Sequence, residues 1–177
     1  MPRPTVSDRV RLALPIVLIG PMGAGKSRVG QRLAASVGAP FIDTDQRIAE
    51  RYGPIEEIFE REGEEYFRIV EREIVAEALR EEAVVSLGGG AVLHPDTRDD
   101  LADLPVVWLR VSPEAVASRV AGGNRPLIAE GGVATWKAII ESRAPLYEAL
   151  ADLDIDTSRR SVARIVDDIT GRFGGRR

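Results

Sequence analysis

Cysteine is absent from the 177 residues, which excludes disulfides, thiolate catalysis and Cys-based zinc or iron-sulfur centres. A single histidine, His94, rules out a multi-histidine metal site as well. No apolar run reaches the roughly 18 residues that a membrane helix needs. Residues 1–15 carry three arginines but no apolar stretch of the kind a secretory leader requires. An excess of basic charge is also lacking. With 24 basic and 28 acidic residues the net charge is -4, so no general affinity for nucleic acid is expected. Lysine is scarce, occurring at Lys26 and Lys137, while arginine supplies the rest of the basic residues. The expectation is a cytoplasmic protein with neither membrane nor nucleic-acid partners. No persistent apolar surface stripe is legible, which points to a monomer.

What is present fits one domain with a sizeable core: 44% of the residues are apolar, ordinary for a globular chain of this length. Four apolar residues, Ile16 to Ile19, run directly into Gly20-Pro-Met-Gly-Ala-Gly-Lys-Ser27. That stretch satisfies G-x-x-x-x-G-K-S, a strand feeding a phosphate-cradling loop. A polyphosphate needs several donors converging on it. A glycine-rich turn lets backbone N–H groups do this, and the following helix adds its positive N-terminal end. Gly23, Ala24, Gly25, Lys26 and Ser27 are therefore candidate nucleotide-binding residues. Lys26 would reach the transferred phosphoryl group as a compact point charge, and the Ser27 hydroxyl would sit on a magnesium ion.

The rest of the chain alternates helix and strand patterns. Residues 28–37 place Val29, Leu33 and Val37 on one helical face, with Gly38 as a C-cap. Phe41-Ile42 is a short strand ending in Asp43-Thr44-Asp45. This is either a pair of carboxylates beside the phosphate loop or an Asp-rich turn capping a helix over 46–51. A helical turn at 55–59, a solvated break at 60–63 and a helix over 64–80 follow, the last with Phe67, Val70, Ile74 and Ala78 buried. Arg68, Glu71 and Arg72 share a flank on which Glu71 can hold Arg68, or else they are simply solvated. Strand 83–87 ends in Gly88-Gly89-Gly90, bare backbone at a ligand-binding sheet edge or a flexible turn. His94 reads as a polar loop residue before a short helix over 96–104. Strand 106–111 is apolar except at Arg110, and Ser112-Pro113 launches a helix to about 120. Residues 121–132, rich in glycine around Asn124-Arg125-Pro126-Leu127, read as a lid able to close on a ligand. A helix over 133–142 carries Trp136 and Ile140, and Arg143 opens another short helix. Strand 153–157 and a final helix over 161–172 complete the series. The result is an α/β three-layer sandwich with a five-stranded parallel sheet. Residues 1–14 form a flexible arm, 15–173 a single domain with an acceptor region at about 44–80, and 174–177 a frayed tail.

Together the loop at 20–27, Asp43-Thr-Asp45, Phe67-Arg68 with Glu71, Gly88-Gly89-Gly90-Ala-Val92, Asn124-Arg125-Pro126-Leu127, Arg143-Ala-Pro145-Leu-Tyr147 and Asp156-Thr157 resemble the shikimate kinase family in order and spacing. The resemblance spans about residues 16–170. It implies a P-loop NTPase fold of the nucleoside-monophosphate-kinase type and ATP-dependent phosphorylation of the 3-hydroxyl of shikimate, with Mg2+. By the same resemblance Arg68 and Arg143 hold the substrate carboxylate, Asp45 binds and orients the attacking hydroxyl, and Gly89 and Gly90 wall the pocket. Asp43 holds magnesium alongside Ser27. Arg125 meets the phosphates, and Arg119 with the Arg159-Arg160 neighbourhood lies near adenine, the contact falling to either Arg159 or Arg160. Arg28 stands where many members carry a small Thr, a departure that touches one phosphate contact of the loop. The competing readings are another small-molecule P-loop kinase, such as one acting on gluconate or a nucleoside monophosphate, and a non-catalytic nucleotide-binding protein. A nucleoside-monophosphate kinase needs a second phosphate site and base recognition, whereas this chain offers an aspartate and two separated arginines. A protein that had lost catalysis would be expected to lack Lys26, Asp43 or Asp45.

Overall fold

The computed structural model describes residues 10–121 and 131–175. The lid expected at 121–132, and Arg125 with it, therefore lies almost wholly outside the described residues. Five strands form one parallel sheet in the order β2-β3-β1-β4-β5: β1 (Ile16–Ile19), β2 (Phe41–Asp43), β3 (Val84–Ser86), β4 (Val106–Arg110) and β5 (Leu153–Asp156). β1 lies at the centre, paired with β3 on one side and β4 on the other. All the loops that leave the carboxyl ends of the strands therefore gather around its C-terminal end.

The strands are apolar on both faces because both faces are covered. Ile16, Leu18, Val107 and Leu109 point into one cluster with Val29 and Leu33 of α1 (Lys26–Val37) and with Ile165, Val166 and Ile169 of the C-terminal helix Val162–Phe173. Val17, Ile19, Val106 and Trp108 point the other way, against Val75 and Ala78 of α3 (Ile55–Ala78), Leu101 of α4 (Pro95–Leu101) and Tyr147 of α6 (Gly132–Leu150). A satellite cluster of Ile48, Ile58, Phe67, Val70 and Ile74 joins α2 (Thr44–Tyr52) to α3 beside the sheet edge. The remaining helices are α5 (Pro113–Ala121), between β4 and α6, and α7 (Val162–Phe173).

Three boundaries differ from expectation. The solvated break at 60–63 shrinks to Gly63 alone, at φ 83° and ψ 171°, and helix continues on both sides of it. The helix over 133–142 and the separate one at Arg143 are a single helix, α6, running through Pro145. Pro145 lacks the N–H that would bond one turn back, but Trp136 and Tyr147 are both buried and hold the helix against the body. The third difference is at the ends. Leu12 and Leu14 pack on the core, and Arg11 pairs with Gly175 in an antiparallel bridge, so residues 11–14 and Gly175 are joined to the body.

Candidate active site

The loop after β1 turns through Gly23 (φ 87°) and Gly25 (φ 89°), separated by Ala24 with an ordinary negative φ. Alternation of this kind turns successive N–H groups toward one concavity, a cradle for anions. Lys26 opens α1, and its Nζ donates to the carbonyls of Gly20 (2.7 Å) and Pro21 (3.0 Å). Next to it the Ser27 hydroxyl donates to Asp43 Oδ2 at 2.7 Å. The other carboxylate oxygen of Asp43 accepts from the N–H groups of Asp45 and Gln46 and caps α2. The two readings of the Asp-rich turn thus hold together: one oxygen is structural, and the other faces the loop.

Asp45 occupies the first turn of α2, with its carboxylate beside Gly88 of the glycine triad. A Cβ on Gly88 would lie 2.5 Å from Asp45 Oδ1, and one on Gly90 2.4 Å from Arg68 Nη1. The triad is glycine because charged side chains occupy the space where its own would be. Arg68, on α3, bonds Glu71 at 2.6 Å and Glu64 at 3.3 Å. Glu71 is 4% exposed. Burial lifts its proton affinity, opposed by Arg68 and Arg143. Arg143 approaches from α6: its Nη1 lies 3.4 Å from where a Gly89 Cβ would be, and its charge opposes the burial that pushes the Tyr147 hydroxyl up. Tyr147, fully buried, donates that hydroxyl to the Gly89 carbonyl at 2.6 Å and so fixes the wall of the site. Burial, then the charges of Asp43 and Glu71, push Asp45 up to about 6, against the pull of Lys26 and Arg68.

The sequence model of shikimate kinase matches residues 22–173. The chain belongs to the shikimate kinase family. It is 44% identical over 161 residues to the shikimate kinase of Mycobacterium avium (strain 104), covering 89% of this chain and 92% of that one. With the Thermobifida fusca (strain YX) shikimate kinase it shares 46% over 148 residues, covering 82% and 86% of the two chains. Among solved structures, shikimate kinase from Acinetobacter baumannii in complex with shikimate superimposes with a TM-score of 0.80 at 35% identity, covering 87% of this chain and 89% of that chain.

In this member of the shikimate kinase family the described site residues fall into two groups on either side of Asp43-Thr-Asp45. The loop with Lys26 and Ser27 is one, and Asp45, Arg68, Gly89, Gly90 and Arg143 are the other. Arg119 joins the first group, its guanidinium reaching the Gly23 carbonyl (2.6 Å) and the Thr157 carbonyl (2.7 Å). Arg160 pairs with Asp168 of α7. Arg28 is exposed on the first turn of α1. Arg72 leaves the flank it shares with Arg68 to bond Thr97 and Asp100 of α4.

Two residues were not singled out by the sequence reading. Thr44, fully buried, donates to the Ser86 carbonyl (3.2 Å) and accepts from the Gly88 N–H (3.1 Å), tying the aspartate pair to the glycines. A hydroxyl between two carboxylates at a strand end was the available signal. The role of Tyr147 could have been sought from its spacing, one turn beyond Arg143. His94 has a local task, its Nδ1 accepting from the Asp96 N–H to cap α4. Among the described residues no helix is long and apolar enough to cross a membrane.

Proposed function

We propose that this chain transfers the terminal phosphoryl group of ATP to the 3-hydroxyl of shikimate, giving shikimate 3-phosphate and ADP. The observation that carries the reading is the meeting of Asp45, Arg68 and Arg143 around Gly88 to Gly90, beside the phosphate loop. Two guanidinium groups approaching from different helices suit a planar carboxylate, and the carboxylate of Asp45 suits a hydroxyl. In the reaction the acceptor oxygen forms a bond to the γ-phosphorus as the bond to the β,γ-bridging oxygen breaks. Asp45 orients the hydroxyl and takes its proton. Lys26, and Arg125 on the strength of the Asn124-Arg125-Pro126-Leu127 motif, neutralise the phosphate oxygens. The loop backbone from Gly23 to Ser27 seats the phosphates, with Arg28 at its edge, and Arg119 lies toward the base.

Ser27 and Asp43 fit a magnesium ion. A hydroxyl and a carboxylate oxygen lie 2.7 Å apart at the mouth of the loop, and Mg2+ characteristically takes one or two protein oxygens plus water and phosphate. When bound, the ion supplies charge neutralisation at the β- and γ-phosphates. We further assign the segment at about 121–132 as a lid, the region at about 44–80 to the acceptor, and the active unit as a cytoplasmic monomer.

The test is ADP release over a panel of shikimate, quinate, gluconate and nucleoside monophosphates. Turnover with shikimate at least a hundredfold above the other acceptors is expected. Failure with shikimate beside clear turnover of another acceptor overturns the reading.

A further inference from the structure

Five consecutive carbonyls of the phosphate loop each accept a hydrogen bond from a side chain. Gly20 and Pro21 take theirs from Lys26 Nζ, Met22 from the indole N–H of Trp136 at 2.9 Å, Gly23 from Arg119 at 2.6 Å, and Ala24 from the Thr157 hydroxyl at 2.8 Å. A carbonyl fixed on one side of a peptide plane sets the direction of the N–H on the other. A donor buried in the core, such as Trp136, that holds a carbonyl away from the cradle therefore keeps the next amide N–H of the loop turned toward it. Lys26 belongs to the loop motif and Arg119 to the nucleotide site, but Trp136 has no such role in the motif, and core packing alone accounts for its apolar ring.

Packing does not account for its polar atom. Trp136 is 7% exposed and sits in the cluster that contains Ala24, with Met22 packed against it. A phenylalanine or leucine would fill that space without an N–H to satisfy. The indole instead bridges 114 positions in sequence to reach one carbonyl, that of the third residue of the loop. Met22 has no other side-chain donor among the bonds of the described residues. Trp136 also lies on the opening turns of α6, the helix that carries Arg143 seven residues on, on the same helical face two turns away.

We propose that Trp136 is a positioning residue for the nucleotide half of the site: its N–H holds the Met22 carbonyl outward, so that the loop is shaped for phosphate before nucleotide arrives. The inference rests on the ATP-binding part of the function proposed above and not on the identity of the acceptor.

Two measurements test it. Trp136→Phe keeps a ring in the core and removes the donor. It is expected to raise the KM for ATP and the Kd for MgADP about five-fold, the effect of one hydrogen bond, while the KM for shikimate stays within two-fold of wild type. Separately, with Trp108→Phe, Trp136 becomes the sole tryptophan of a chain that has two, and its emission maximum is expected to stay unchanged as MgADP saturates the loop, because its bond to Met22 is already made. A KM for ATP equal to wild type overturns the proposal, as does an equal rise in both KM values accompanied by a lower Tm, or a Trp136 emission that moves with MgADP as a bond formed only on binding would require. Should Trp136→Phe not fold, the emission of Trp136 decides alone. MgADP titration needs no acceptor, so failure here is distinguishable from failure of the shikimate assignment, which the acceptor panel reads.

Discussion

A carboxylate set between Asp43 and Glu71, and buried besides, gives up its proton reluctantly, and Asp45 is pushed up to about 6 from an ordinary 3.8. A raised folded-state pKa means that the group favours folding below about pH 4 and that this contribution is lost as pH rises through 6. At pH 8 the ionised side chain costs the metal-free protein about 2 kcal/mol once solvent screening is allowed for. Asp45→Asn removes that charge. The variant is expected to melt several degrees above wild type at pH 8 in the presence of chelator, with the difference fading by pH 4.5, and to lose at least a hundredfold in turnover. A variant that melts with wild type at both pH values would show that the charge is not crowded. Near-wild-type turnover would remove Asp45 from the chemistry. A second residue-scale test concerns the glycine wall. Gly90→Ala would place a methyl 2.4 Å from Arg68 Nη1, closer than packed atoms approach, and the flexible guanidinium would be the part to move. The KM for shikimate should rise about tenfold, as for one lost charge-assisted bond, with the KM for ATP unchanged in steady-state kinetics.

The junction of β2 and α2 does the work of joining these residues to one another. Asp43 ends the strand and caps the helix, Asp45 opens the helix, and Thr44 between them is pinned to the carbonyl of Ser86 and the N–H of Gly88. Thr44→Val keeps the shape but leaves the buried Gly88 N–H without the hydroxyl it donates to, at a cost of about 1–3 kcal/mol. The Tm is expected to fall by several degrees and the KM for shikimate to rise, with Thr44→Ser restoring both. A Ser variant as impaired as Val would mean that the methyl, not the hydroxyl, matters. Much of this scale was open to reading. The aspartates, the loop, the glycine triad and the pairing of Arg68 with Glu71 all stand in local patterns, where residue type and spacing determine who meets whom. What was not readable depended on distance along the chain. Thr44 reaches 44 residues forward to Gly88. Gly63 breaks one residue where composition suggested four, because burial of Ile58 and Phe67 on either side keeps both segments helical.

At the scale of the whole molecule, the proposed function divides the site into two halves. The proposed donor-side groups hang from the loop after β1, α1 and α5. The proposed acceptor-side groups hang from α2, α3, the loop after β3 and α6, and the two sets meet at Asp43, which ends β2, and Asp45, in the first turn of α2. Phosphoryl transfer asks the protein chiefly to align two substrates and spread charge, so damage confined to one half should leave binding to the other half nearly intact. Lys26→Met is expected to abolish turnover while shikimate titrated in a calorimeter still binds within about three-fold of wild type. Arg143→Ala should do the reverse, weakening shikimate binding ten- to a hundredfold, the loss of a charge-assisted contact of about 1.5–3 kcal/mol, while MgADP binds as before. Arg143 Nη1 also lies beside the glycine wall, 3.4 Å from where a Gly89 Cβ would be. Arg143→Lys, which keeps the charge without the planar fork, should therefore recover only part of the affinity. Full recovery with Lys would show that charge alone holds the carboxylate and that the planar fork is dispensable.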